Sequence, residues 1–334
     1  MENKEKQTAT PYDDVHRTML NDCPKLIIPV VNEMFHKRHS NNEEVTVLNN
    51  EFFINRQDGK QVERITDTHF LIGAIRYHLE CQSTADGTMM YRMFEYDSQI
   101  ALQAGEVSGD KLTVKFPNTA ILYLRHNKNT PEQMQIEIRV PGAACSYSVP
   151  VMKVQNYTIE TIFEKKLFFL IPFHLFTYEN DFRVYEKNPQ KLQELTAVYE
   201  EIVEKLNVCQ ENQVIDAYMK SMIIDMSKKV LEHLAQKYTN VKKEVGDIMG
   251  GKILDYPTKD AWRQGIQEGR QEGRQEGIKE GIKEGIQQGI QQGQRDKLIE
   301  LVQKKLAKNY SVEQIADALE ESVEAIREIV DELK

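Results

Sequence analysis

The sequence predicts an α/β protein: a mixed domain of strands and helices, followed by a helical hairpin and a long helical C-terminal tail. Three observations carry that expectation. Around residues 64–83 apolar and polar residues alternate with a period of two, the mark of half-buried strands. Between 188 and 238 apolar residues recur at helical spacing. From Gly265 to Gly293 a glycine returns every fourth residue in a polar stretch otherwise made of good helix formers.

In chain order, Met19, Leu20, Leu26, Ile27, Ile28, Val30, Val31, Met34 and Phe35 suggest helical segments between Asp13 and Arg38, broken near Pro24 and Pro29. Pro29 suits the first turn of a helix, where its missing N–H costs nothing. Glu33 then lies one turn further on. Glu44–Asn55 reads as a strand, and Asp58-Gly59 is a hairpin turn signal before an Arg64–Ile72 strand. Gly73 breaks that strand from the next, in which Ile75, Tyr77 and Leu79 alternate with Arg76, His78 and Glu80. Met89–Gln103 reads as a helix, with Tyr91, Phe94 and Ile100 on its apolar side and Arg92, Glu95 and Gln99 on other faces. Strands are expected at Lys111–Phe116, Ala120–Arg125, Met134–Val140 and Tyr147–Val154, separated by Pro and Gly signals. Ile159–Leu170 reads as a helix ending at Ile171-Pro172-Phe173. Two apolar stripes, from Leu192 to Leu206 and from Ile215 to Leu234, predict two amphipathic helices packed as a hairpin; Glu200, Glu201 and Glu204 belong to their solvated faces.

The resulting domain expectation is an α/β domain over 1–182, a helical region over 183–256, the glycine ladder over 257–296 and a small helical module over 297–334. A four-residue repeat drifts about 40° per step around a helix of 3.6 residues per turn. The ladder glycines therefore trace a spiral along which a second backbone could approach, or the segment is a fluctuating helical spacer. Ser311-Val-Glu-Gln314 is a capping-box signature opening the C-terminal module. That module has the look of a helix-turn-helix, but Glu320, Glu321, Glu324, Glu328, Asp331 and Glu332 would repel phosphates, which favours a protein contact.

Composition restricts the function classes. Hydrophobic residues make up 40% and charged residues 28%, the balance of a globular chain. No run approaches the length of a membrane span, and Met1-Glu-Asn-Lys-Glu-Lys-Gln is followed by no apolar core, so neither a membrane anchor nor a signal peptide is expected. Cys23, Cys81, Cys145 and Cys209 are scattered without a Cys-x-x-Cys pair, as in reduced and mostly buried thiols of a cytoplasmic protein. The net charge of −9 means that any DNA contact must come from a local patch such as Lys25, Lys37, Arg38, Arg56, Lys60, Arg64 and Arg76.

The residues with chemistry to offer are Asp67 and Glu80-x-Gln82. Glu80 and Gln82 share one face of their strand while Cys81 points to the other layer. An acid on one strand and Glu-x-Gln on its neighbour suit a hard cation, because Mg²⁺ prefers carboxylate oxygen and retained water; the same residues also suit an ordinary polar sheet face.

Leu26-Ile-Ile-Pro-Val-Val-Asn-Glu-Met-Phe35, Ile65-Thr-Asp67, Tyr77-His-Leu-Glu-Cys-Gln-Ser83, Arg92-Met-Phe-Glu-Tyr96, Phe116-Pro117, Leu122-Tyr-Leu-Arg125, Leu170-Ile-Pro-Phe173 and the glycine-ladder tail occur in that order. Together they resemble the Rpn-type (recombination-promoting nuclease/putative transposase) branch of the PD-(D/E)XK nuclease superfamily. The resemblance implies a restriction-endonuclease-like mixed sheet flanked by helices and a DNA endonuclease linked to recombination or mobile elements. It implies Asp67, Glu80 and the Cys81 carbonyl as ligands of Mg²⁺ (or Mn²⁺), and Glu33, if it contributes, through water. Gln82 stands where the superfamily has Lys and can only hydrogen-bond. The competing expectation is a catalytically weak DNA-binding or interaction protein that forms homo-oligomers through its helical C-terminal region.

Overall fold

A computed structural model describes residues 11–48, 51–55, 61–65, 68–84, 87–250, 279, 283, 289 and 292–333. The chain divides into two compact units, Met1–Leu254 and Asp255–Lys334.

In the first unit α1 (Pro11–Asp22), a 3₁₀ turn (Pro24–Ile27) and α2 (Ile28–Phe35) open the fold. The breaks fall at the prolines, and Pro29 occupies the first turn of α2. Strands β1 (Val45–Val47), β2 (Glu51–Asn55), β3 (Gln61–Ile65), β4 (Thr68–Ile72) and β5 (Ile75–Gln82) follow, then α3 (Met89–Gln103). Next come β6 (Glu106–Ser108), β7 (Lys111–Thr113), β8 (Asn118–Tyr123), β9 (Gln133–Val140) and β10 (Ala143–Lys153). Six strands form one mixed sheet in the order β1-β4-β5-β8-β10-β9, while β2–β3 and β6–β7 are separate two-stranded ribbons.

β5, β8 and the end of β10 run parallel at the sheet centre, and β4 and β9 flank them antiparallel. Gly73, with φ +57°, sits in the β4–β5 turn, a backbone state that a Cβ disfavours. Pro150 falls where β10 exchanges its partner β9 for β8, so its missing N–H interrupts neither ladder centrally.

The expected strands and the structure differ at several points. Glu44–Asn55 is two strands with different partners, β1 on β4 and β2 on β3, and the Arg64–Ile72 stretch is likewise divided between β3 and β4. Lys111–Phe116 contracts to β7, in a ribbon outside the main sheet. Ile159–Leu170 is not one helix: α4 (Ile159–Glu164) stops as Lys166 takes φ +57°, and Phe168–Thr177 forms a buried 3₁₀ segment containing Pro172. A segment buried continuously from Phe168 to Phe176 has no solvent face to keep an α-helical period, and the proline removes an interior donor.

Two layers cover the sheet. On one face Tyr77, Leu79 and Cys81 of β5 and Ala120, Leu122 and Leu124 around β8 join the main core. That core takes in α1, α2, the 3₁₀ segment, α6 (Pro189–Glu211), α7 (Ala217–Leu234) and α8 (Thr239–Gly250). The expected helical hairpin is α6–α7; α5 (Phe182–Lys187) and α8 add to it, and the helical region shares its core with the sheet. On the other face Met89 and Met93 of α3 pack on Ile121, Tyr123, Ile136, Val149 and Val151. Cys23 and Cys81 are buried, but Cys145 is exposed on β10; no disulfide joins the four cysteines. No described helix is long and apolar enough to cross a membrane.

In the second unit, helical residues 292–306 (α9), α10 (Val312–Leu319) and α11 (Val323–Glu332) close over Val302, Ile315, Ala316, Ile326 and Ile329. The capping box forms: Gln314 N–H donates to Ser311 Oγ at 3.3 Å, and Ser311 N–H to Gln314 Oε1 at 2.9 Å. Of the ladder glycines, Gly289 and Gly293 are described; both are helical and exposed, and an added Cβ at either would meet open space. The others lie outside the described residues. Gly289→Ala and Gly293→Ala should therefore each add about 1 kcal/mol of helix stability. Circular dichroism of the double variant should report more helix, whereas lost helicity or a changed solution mass would mean that another chain packs on these glycines.

Candidate functional site

β5 places its even-numbered residues against α3. Arg76, His78, Glu80 and Gln82 share that face because side chains alternate along a strand. Glu80 is 1% exposed, His78 and Asp97 are fully buried, and a buried carboxylate requires partners. Glu80 Oε1 faces His78 Nε2 at 3.3 Å, and Glu80 Oε2 accepts from Gln82 Nε2 at 3.1 Å and from Arg92 at 3.4 Å.

Behind His78 stands Asp97 of α3, its Oδ1 2.8 Å from His78 Nδ1. The same oxygen accepts from Thr119 Oγ1 of β8 at 2.6 Å, and Oδ2 accepts from Tyr147 of β10 at 2.8 Å. Both ring nitrogens of His78 thus face carboxylate oxygens, an arrangement satisfied by the imidazolium, which donates from each. Burial alone would lower the His78 pKa, but hydrogen bonds to Asp97 and Glu80, with their charges, outweigh it and raise the value to about 9. Burial, with the Asp97 charge beside it, drives the Tyr147 phenol well above its ordinary value, so it remains a donor.

His16 of α1 feels the Glu80 charge from elsewhere. It is fully buried, packs edge-on to Phe169 at 5.2 Å between ring centroids, and neither ring nitrogen has a hydrogen-bond partner. Burial lowers its pKa to about 3 against the opposing pull of Glu80.

Asp67 lies outside the described residues. The β4–β5 register runs from Ile72↔Ile75 to Thr68↔Leu79, so Asp67 immediately precedes, and Glu80 immediately follows, the last described pair. Cys81 turns its side chain to the opposite layer, as expected from the alternation. Glu33 is half-buried on α2, where its Oε1 accepts from Lys165 Nζ at 2.6 Å and Tyr157 OH at 3.3 Å. Lys165 caps the C-terminus of α4 and Tyr157 lies in the chain after β10, and Glu33 has no bond to Glu80. Among the described residues, no group of three or more His, Cys, Asp or Glu side chains is arranged to hold a metal ion. Of the expected basic patch, Arg56 and Lys60 lie outside the described residues, and Arg76 is turned to His69 at 3.1 Å.

The sequence places Arg92 only off the apolar side of its helix, and it does not single out Asp97. The one signal for Asp97 is position: Met89, Met93, Tyr96, Asp97, Ile100 and Ala101 form the buried stripe of α3, and an acid inside such a stripe needs a buried partner. No family model matches this chain, and neither a curated protein nor a solved structure does.

Proposed function

We propose that this chain is a divalent-metal-dependent DNA endonuclease of the Rpn-type branch of the PD-(D/E)XK superfamily, serving recombination or mobile elements. The observation that carries this reading is the buried carboxylate of Glu80, one residue beyond Leu79, whose partner Thr68 directly follows Asp67 in the chain. A carboxylate of Glu80, the Cys81 carbonyl and the carboxylate of Asp67 are hard oxygen donors, the chemistry that suits Mg²⁺ or Mn²⁺. A metal held by them would lower the pKa of a bound water and offset charge developing on the scissile phosphate. The side chains of the chain have their own tasks. Gln82 and Arg92 hold one oxygen of Glu80, and the guanidinium of Arg92, 18% exposed, can also donate to a phosphate. Glu33, engaged with Lys165 and Tyr157, carries no part of the reading.

The second reading is a catalytically weak DNA-binding or oligomeric interaction protein of the same family. Charge favours it: the imidazolium of His78 and the guanidinium of Arg92 already face Glu80 and oppose a divalent cation there. Unchanged solution mass after deletion of 263–334 would remove assembly through the C-terminal region.

Supercoiled plasmid separates the two. Nicking by the purified chain should require Mg²⁺ and vanish in Asp67→Ala. No cleavage by wild type would move the assignment to the second reading, and equal cleavage by both proteins would mean a contaminant or a wrong site.

A further inference from the structure

Glu80 is a flexible side chain at a buried position, and its orientation is fixed from behind as well as from the front. The rear arm is a continuous chain of short contacts: Tyr147 and Thr119 to Asp97, Asp97 Oδ1 to His78 Nδ1 at 2.8 Å, and His78 Nε2 to Glu80 Oε1 at 3.3 Å. It ties α3 to β5, β8 and β10, and every polar atom of Asp97 has a donor. An imidazole is short and planar, with nitrogens on opposite edges, so fixing one edge fixes where the other points. A carboxylate behind a histidine is a recurrent way of orienting a group that must meet a ligand with little freedom left to lose.

We propose that Asp97 is a positioning residue that, through His78, fixes the carboxylate of Glu80 in the orientation the reaction uses. The proposal rests on the nuclease reading, in which Glu80 is a working carboxylate, but Asp97 itself touches neither substrate nor metal. Three hydrogen bonds converging on Asp97 from three strands are more than a helix acid needs for solubility. They hold it still at the one place where its other neighbour leads to Glu80.

Asp97→Ala would threaten the fold, so the test uses Asp97→Asn in the full chain, which keeps the volume and one of the two acceptor oxygens while removing the charge. As a control, Ile223→Val loosens the fully buried Ile223 of α7 in the opposite layer. At fixed Mg²⁺, Asp97→Asn should nick plasmid at least about tenfold more slowly per folded molecule with KM for plasmid unchanged, while Ile223→Val keeps the wild-type rate. In protein labelled at the glutamate carboxyl carbons, the ¹³C resonance absent from Glu80→Gln identifies Glu80. That resonance should move in Asp97→Asn and stay in Ile223→Val. A wild-type rate in Asp97→Asn, or an unmoved Glu80 resonance, overturns the proposal. Should wild type fail to nick at all, the nuclease reading falls, and the resonance still decides whether Asp97 orients Glu80.

Discussion

Asp97→Ala should lose about 3–5 kcal/mol of folding stability, the cost of removing one partner from a buried ion pair. The substitution strands three donors at once: the His78 imidazolium, the Thr119 hydroxyl and the Tyr147 phenol. Water offers little relief, since His78 is fully buried and Thr119 is 2% exposed. Tyr147→Phe removes a single hydrogen bond to a buried carboxylate and should cost about 1.5–3 kcal/mol. Urea denaturation measures both, and the midpoint should fall with the slope unchanged, because the surface exposed on unfolding is the same. The pair Asp97→Ala and His78→Leu adds a sharper check. Combined, the two should cost less than their sum, since once His78 is gone the loss of Asp97 strands no imidazolium. Strict additivity would mean that the two side chains do not share a bond.

How much of this site can be read in one dimension follows from what each residue needs. The alternation in Ile75–Gln82 is legible because a strand period is fixed by covalent geometry, and that period alone puts His78, Glu80 and Gln82 on one face. The limits of α3 are legible too, but its buried face is not the expected one: Tyr91 is 81% exposed and Phe94 39%, and the buried stripe runs through Met89, Met93, Tyr96 and Ile100. Asp97 is not, because its meaning comes from Thr119 and Tyr147, which lie 22 and 50 residues further along the chain. Glu33 illustrates the converse. Its place on α2 follows from Pro29, yet a helix position does not say which strand end it faces, and its cationic partner Lys165 is 132 residues distant. The apolar run around Phe168 reads as helix although it is 3₁₀, because composition reports burial but carries no period when every side chain is buried.

The stability of the chain should be greatest near neutral pH and fall on both sides, for two opposite reasons. On the acid side, burial holds His16 at a pKa of about 3 and His174 at about 4, both below the unfolded value near 6.5. Between those values the unfolded chain binds protons that the folded chain refuses, so stability is lost as pH falls below about 6.5. A tenfold change in proton affinity is worth about 1.4 kcal/mol, so His16 alone contributes on the order of 5 kcal/mol and His174 on the order of 3 kcal/mol. On the alkaline side the sign reverses. His78 keeps its proton to about pH 9, so its contribution is complete below about 6.5 and is lost, on the order of 3 kcal/mol, as pH rises to 9. Urea midpoints at about pH 4.5, 6.5 and 9 should trace this arch. His16→Phe assigns the acid limb: the ring sits against Phe169 and Phe173 with no polar partner to lose, so an apolar ring of similar shape should suit the site. The variant should match or exceed wild type near neutral pH and lose much of the acid decline, leaving the alkaline limb unaltered. An acid limb as steep as in wild type would mean that His16 accepts its proton in the folded state. The Glu80 charge, which already pulls in that direction, would then be the side chain stabilising the imidazolium.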